Sequence, residues 1–130
     1  MRKAFNSVEG APGAVGPYSV AVSAGDMLFT SGQLPMDAKT GEILGETAVT
    51  QAKYALDNLK TVIEKLGSDM ESVVKVTIYM TDIACFGEVN EVYAQYFKGS
   101  CPARSCVEVS NLPKGAQIEI EAIAQINKPN

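Results

Sequence analysis

The spacing of apolar side chains changes several times along this chain and divides it into predicted elements. Residues 2–6 predict a short strand, and the Gly- and Pro-rich stretch EGAPGAVGP that follows predicts a loop. The segment YSVAVSAGDMLFTSGQLP predicts two strands around a turn at Ala24–Asp26. Residues 35–46 are polar and predict another loop.

The most regular helical pattern begins at Thr47. Apolar residues recur every three or four positions and charged residues occupy the other side, which predicts an amphipathic helix. Thr47 or Thr50 is suited to cap its N-terminus, and Gly67 is suited to end it. The apolar positions are Ala48, Ala52, Ala55, Leu59, Ile63 and Leu66.

A strand and a second helix are predicted next. In SVVKVTIYM, apolar and polar residues alternate, which places Val74, Val76, Ile78 and Met80 on one face of a strand. In ACFGEVNEVYAQYF, apolar side chains return at helical spacing, and Pro102 follows as a stop.

The segment CPARSCVEVSNLPKGAQIEIEAIA predicts a terminal hairpin around a Pro-Lys-Gly turn. On its first strand, Ala103, Ser105, Val107 and Val109 share one face. On its second strand, the apolar face comprises Ile118, Ile120, Ala122, Ala124 and Ile126. If these faces meet the helices, a different set emerges on the far side of the sheet, namely Arg104, Cys106, Glu119 and Glu121.

The predicted order is β-β-β-α-β-α-β-β, an α+β architecture with one sheet and two helices on one face. The 130 residues suit one domain spanning 1–130. The far face of the sheet is either exposed to solvent, with cross-strand Arg–Glu pairs, or buried in a subunit interface. Ile123 lies on the same face and favours an oligomer, formed around a common axis.

Composition narrows the classes of partner. Hydrophobic residues make up 46% and charged residues 20% of the chain, as in soluble globular proteins. The net charge is -4 without a basic cluster, which argues against nucleic acid and gives no reason to expect an anionic membrane. The first residues lack a signal peptide's apolar stretch, and no run reaches a membrane span. We expect a cytoplasmic protein.

The chain contains no histidine, which limits its possible chemistry. Ser–His and Cys–His nucleophile pairs are excluded, as are His-ligated metals. Cys85, Cys101 and Cys106 lack CxxC spacing and are expected to be free thiols, so we predict no metal site. Arg104 is suited to bind a carboxylate bidentately, and a glutamate near it is suited to orient or deprotonate a water. Periodicity does not distinguish Glu119 from Glu121.

Four segments together resemble the reactive-intermediate (imine) deaminases, the Rid or YjgF family. They are PGAVGPYSVAV (12–22), FTSGQLP (29–35), VNEVYAQYF (89–97) and PARSCVEVSNLPKGAQIEIEAIA (102–124). The resemblance implies a chorismate-mutase-like fold, a homotrimer with a central barrel, and clefts between subunits. It implies hydrolysis of 2-imino acids, such as 2-iminopropanoate and 2-iminobutanoate, to 2-keto acids and ammonia, with no cofactor. Pyridoxal-phosphate enzymes release such intermediates.

The resemblance also implies roles for individual residues. Arg104 would hold the substrate carboxylate, and Glu119 would activate the attacking water. Tyr18 and Ser31 would line the cleft, the backbone of Cys106 would bind the substrate end, and Asn90 matches a helix position near the site. Three of these residues have a structural alternative: Arg104 as a sheet-face ion-pair partner, Tyr18 as loop packing, and Ser31 as backbone bonding in a bulge.

Two other functions remain open at this point. The first is a trimeric small-molecule-binding or oxidant-activated, chaperone-like module without catalysis. The second is RNA cleavage, which has little support in a chain with no histidine and a net charge of -4. A nucleophilic role for Cys106 is not supported either, because no neighbouring base is evident in the sequence.

Overall fold

The computed structural model describes residues 1–127, so the last three residues of the predicted 1–130 domain lie outside the described residues. Within residues 1–127, six strands form one mixed sheet. They are β1 (Arg2–Phe5), β2 (Ala21–Ala24), β3 (Met27–Thr30), β4 (Val73–Met80), β5 (Ala103–Glu108) and β6 (Ile118–Gln125). The helices are α1 (Ala48–Lys65) and α2 (Phe86–Ala94). The predicted element order and the α+β class are confirmed.

The strands lie in the order β1-β2-β3-β6-β4-β5. Strands β4 and β5 are parallel, with α2 in the connection between them, and the other neighbours are antiparallel. Both helices pack on one face of the sheet, where α1 contacts β6, β3 and α2. The main core lies between α1, α2 and the central strands β4 and β6.

Helix α1 forms where the apolar pattern predicts it. Thr47 caps the helix, since its hydroxyl oxygen accepts a hydrogen bond from the Thr50 backbone N–H at 3.2 Å. The helix ends before Gly67, whose φ of +94° is a conformation that glycine adopts without strain. All six predicted apolar positions of this helix are buried.

The predicted terminal hairpin is wrong. Strands β5 and β6 do not pair with each other, because β4 lies between them, parallel to β5 and antiparallel to β6. The turn at Pro113–Gly115 forms, but it is only part of a connection that spans residues 109–117. That length is sufficient to cross the end of β4, whereas a hairpin loop usually has two to five residues.

The predicted orientation of β5 is also wrong. Arg104 pairs with Val76 and Cys106 pairs with Ile78, and both partners are fully buried on the helix side. Directly paired residues share a face of a sheet, so Arg104 and Cys106 point toward the helices. The residues that were expected there, Ala103, Ser105 and Val107, are exposed on the other face.

One position of β4 departs from the predicted alternation. The register shifts between Val73 and Lys75, which marks a β-bulge. As a result, Val73 is buried and Val74 is 45% exposed, whereas Val76, Ile78 and Met80 are fully buried as predicted. A bulge inserts one residue without altering the local composition, so the pattern of side chains does not reveal it.

Candidate active site

Three of the predicted site residues line one cleft of about 610 Å³. Tyr18 and Ser31 lie on the segment around β2 and β3, and Glu119 lies on β6. Gly32 also lines this cleft, as do Pro113 and Lys114 of the connection before β6. We call this the glutamate cleft.

Backbone pairing fixes Glu119 beside Gly32. The neighbouring residues Gln33 and Ile120 exchange two backbone hydrogen bonds, with N–O distances of 2.7 and 3.1 Å. A Cβ at position 32 would lie 2.5 Å from Glu119 Oε2, a distance that side chains do not tolerate. The Glu119 carboxylate therefore occupies space that is open only because residue 32 is glycine.

The protonated form of Glu119 is more favoured in the protein than it is for a glutamate in water. Partial burial raises the pKa of the Glu119 carboxyl, and the negative charge of Glu121 raises it further. Glu121 lies two residues along the same strand and therefore on the same face of the sheet. A carboxylate whose pKa is raised is a stronger base at neutral pH than an ordinary glutamate.

Tyr18 and Ser31 both have structural contacts in the cleft wall. The Ser31 hydroxyl donates to the Ser19 carbonyl oxygen at 2.6 Å, which ties β3 to the loop before β2. The Tyr18 hydroxyl oxygen accepts from the Val15 N–H at 3.4 Å, and its side chain is 48% exposed. Tyr18 is thus accessible to a ligand, whereas the Ser31 hydroxyl proton is used within the protein.

The other predicted residues form a second group on the helix side of the sheet. Arg104 Nη1 donates to Asn90 Oδ1 at 2.8 Å. The Arg104 guanidinium carbon lies 5.0 Å from the Phe86 ring centre and 4.7 Å from that of Tyr93. We call Phe86, Asn90, Tyr93, Arg104 and Cys106 the arginine cluster. Within residues 1–127, no carboxylate forms an ion pair with Arg104, so this partly buried cation is available to an anion.

Cys106 is a partly buried thiol in this cluster. Its Sγ lies 3.8 Å from Met80 Sδ, and its side chain packs against the main core. Burial raises the pKa of the Cys106 thiol, and the charge of Arg104 opposes this only in part. The thiol is therefore protonated at neutral pH, which disfavours a nucleophilic role.

The arginine cluster and the glutamate cleft lie on opposite faces of the sheet. Glu119 pairs with Tyr79 of β4, whereas Arg104 pairs with Val76, three residues earlier. Two strand spacings and three residues separate them by roughly 10 Å across the strands and roughly 10 Å along them. Arg104 and Glu119 of one chain therefore do not meet at one small molecule.

Three contributing residues were not predicted as parts of the site. Gly32 has no side chain that a chemical pattern could single out, and Phe86 and Tyr93 belong to the apolar positions that predict α2. The sequence could have indicated Phe86 and Tyr93, because they lie four residues before and three residues after Asn90 and therefore on the same side of α2. Within residues 1–127, no three histidine, cysteine or acidic side chains are grouped to hold a metal ion. No helix of this part of the chain is long and apolar enough to cross a membrane.

Comparison with known proteins agrees with the sequence resemblance. Residues 8–126 match the family model described as Endoribonuclease L-PSP. The 2-iminobutanoate/2-iminopropanoate deaminase of Escherichia coli is 46% identical over 121 residues, covering 91% of this chain and 94% of that protein. A RutC family protein of Pyrococcus horikoshii is 51% identical over 116 residues, covering 89% and 92%.

Solved structures are similar along nearly their whole length. The YjgF gene product of E. coli superposes with a TM-score of 0.86 at 40% identity, covering 97% of this chain and 100% of that one. E. coli TdcF, solved with bound serine, gives 0.87 at 41% identity, covering 95% and 98%. The chain belongs to the Endoribonuclease L-PSP family, which is the YjgF/Rid family that its motifs predict.

Proposed function

We propose that this protein hydrolyses small 2-imino acids, such as 2-iminopropanoate and 2-iminobutanoate, to 2-keto acids and ammonia. The observation that carries the proposal is a partly buried arginine with no carboxylate partner within residues 1–127. A guanidinium in this state favours a carboxylate ligand. The E. coli relative named for imine deamination, 46% identical, supports the choice of reaction. TdcF bound to serine, which carries an α-carboxylate, supports the choice of ligand.

In the proposed mechanism, Arg104 binds the substrate carboxylate and Glu119 acts as the base. Glu119 accepts a proton from a water molecule as the water oxygen attacks the carbon of the protonated imine, which gives a neutral tetrahedral carbinolamine. Glu119 returns this proton to the nitrogen, and the C–N bond breaks as the carbinolamine hydroxyl gives its proton to Glu119 and forms the C=O bond, which releases ammonia and the keto acid. Because the imine is already electrophilic, placing the water and the substrate supplies most of the acceleration.

The proposed site lies between subunits of a homotrimer. Arg104 and Glu119 act on one substrate only if two chains each contribute one of them, since they lie on opposite faces of one sheet. The face that carries Glu119 is uncovered by helices and exposes large apolar side chains: Phe29 is 43% and Val107 42% exposed. Such a face is suited to burial against other subunits. In the proposed trimer, Tyr18 and Ser31 would line the cleft together with Glu119, and the backbone of Cys106 would bind the substrate. We propose that this trimer is cytoplasmic.

A coupled assay tests the proposed reaction. A threonine dehydratase generates 2-iminobutanoate, and imine loss is followed with and without the protein. Faster loss with the protein supports the deaminase. Unchanged loss, together with saturable binding of 2-oxobutanoate, favours the alternative of a binding module without catalysis.

The first expected outcome concerns Gly32. In Gly32→Ala the new Cβ displaces the flexible Glu119 carboxylate rather than the backbone, so we expect a folded protein with kcat lowered about a hundredfold. Gly13→Ala is the matched control, because Gly13 lines the same cleft and its Cβ meets no atom within 4 Å. Equal kcat values for the two variants would contradict the proposed placement of Glu119.

The second expected outcome concerns pH. The base acts when ionised, so kcat/KM falls as the pH drops through the pKa of Glu119, which burial and Glu121 both raise. We expect the acid limb of the profile to lie above the ordinary range of a glutamate. Glu121→Gln removes a negative charge and is expected to move this limb to lower pH with most of the activity retained. An unmoved limb would argue against Glu119 as the base.

A further inference from the structure

One side of α2 is built around the guanidinium of Arg104. Phe86, Asn90 and Tyr93 are spaced four and three residues apart, so their side chains lie along one stripe of the helix. The two ring-bearing residues are two turns apart, which is a rise of about 10.5 Å. The guanidinium carbon lies 5.0 Å from one ring centre and 4.7 Å from the other, so Arg104 lies over both rings.

Within residues 1–127, Tyr93 contacts its neighbours through its ring and not through a hydrogen bond of its hydroxyl. Tyr93 is only 7% exposed, and its ring contacts that of Phe97, with the ring centres 4.6 Å apart. Its hydroxyl is buried, yet it has no hydrogen-bond partner within the part of the chain that the structure describes. Leaving a buried hydroxyl unpaired costs free energy. The favourable contacts of this side chain with Phe97 and Arg104 are therefore made by its ring.

We propose that Phe86 and Tyr93 are positioning residues that hold Arg104 through their ring faces, so that its in-plane N–H groups meet the substrate carboxylate. A cation over an aromatic face is attracted by the ring's negative face, and more strongly when it is partly desolvated. The rings also restrict the rotation of a long side chain before substrate arrives. The hydrogen bond from Nη1 to Asn90 fixes the remaining freedom. The catalytic consequence rests on the proposed function, whereas the positioning itself does not.

Two substitutions of Tyr93 separate the ring from the hydroxyl. Tyr93→Leu removes the ring face and is expected to raise KM for 2-iminobutanoate about tenfold, equivalent to about 1.4 kcal/mol, with a smaller change in kcat. Tyr93→Phe keeps the ring and is expected to restore the wild-type KM. Equal KM values for Tyr93→Leu and wild type would overturn the proposal. A KM for Tyr93→Phe as high as that of Tyr93→Leu would overturn it too, since the hydroxyl would then be the active group.

An NMR measurement tests the positioning without any enzymatic activity. The chain has two arginines, so in Arg2→Lys every arginine side-chain signal comes from Arg104. Ring currents are expected to shift the Arg104 guanidinium protons upfield of their free-arginine positions. The shift should persist when Tyr93→Phe is added and diminish with Tyr93→Leu. If the Arg104 protons of the Arg2→Lys variant had the chemical shifts of free arginine, the proposed positioning of Arg104 by the two rings would be refuted, even if the protein accelerates imine loss.

Phe86 provides a second route to the same test. It is less buried than Tyr93, so Phe86→Leu is expected to fold even if Tyr93→Leu does not. The same partial loss of the upfield shift and the same rise in KM are expected. If the wild-type protein does not accelerate imine loss, the proposed function fails, and the NMR shifts still decide whether the rings hold Arg104.

Discussion

Replacing Arg104 by alanine is expected to lower kcat/KM for 2-iminobutanoate by about a hundredfold or more. Loss of one partner from a hydrogen-bonded charge pair in a desolvated site costs about 2–5 kcal/mol, and 1.4 kcal/mol corresponds to a factor of ten. Arg104→Lys is expected to recover part of the loss, because it keeps the charge without the planar fork of donors. The measurement is steady-state imine loss, together with inhibition by 2-oxobutanoate, which should weaken in parallel.

Two controls accompany this variant. Arg2→Ala removes the other arginine, which is exposed on β1, and should leave kcat/KM unchanged. Cys106→Ala should lower activity only modestly, because burial raises the pKa of this thiol and keeps it protonated. Equal losses from Arg104→Ala and Cys106→Ala would contradict carboxylate binding as the role of the cluster and would favour a thiol mechanism.

Replacing Glu119 by glutamine is expected to lower kcat by about 10²- to 10⁴-fold, the usual contribution of a general base. KM should change much less, because Arg104 and not Glu119 is proposed to hold the substrate carboxylate. The amide is close in size to the carboxylate, so it should fit the space beside Gly32, and the protein should remain folded.

Glu121→Gln is the matched control for this second prediction. It makes the same chemical change two residues away on the same face of β6. Its kcat at neutral pH should stay close to that of the wild type. If the two glutamine variants lost activity equally, the assignment of the base to Glu119 would fail, and the choice between the two glutamates would be open again.

Local patterns predicted the elements well because each element depends on its own side chains. Helix α1 follows from its apolar stripe and the Thr47 cap, and the alternation within β4 follows from burial on one face. The partner of β5 does not follow from its own residues. Pro113–Gly115 resembles a hairpin turn, but pairing with β4 rather than β6 is decided by the long connection and by α2, which joins two parallel strands.

The sequence named six candidate residues, and the structure divides them between the glutamate cleft and the arginine cluster. Arg104 and Glu119 were assigned through the family motifs, and their placement together on the far face of the sheet was wrong for Arg104. Alternation alone pointed the apolar residues of β5 toward the helices. In the folded chain, Arg104 lies on the helix side and packs over the rings of Phe86 and Tyr93 of α2. The side-chain pattern within β5 alone does not predict this contact. Because of this error, the sequence pattern did not predict that Arg104 and Glu119 of one chain lie on opposite faces of the sheet.

If Arg104 of one subunit and Glu119 of another act on one substrate, mixing two inactive variants should restore activity. Arg104→Ala and Glu119→Gln chains are unfolded together in equal amounts, refolded, and assayed for loss of 2-iminobutanoate. Random assembly gives about a quarter of the sites one intact arginine and one intact glutamate, so about a quarter of wild-type activity should return. Mixed assemblies that stay as inactive as the separate variants would contradict the shared site.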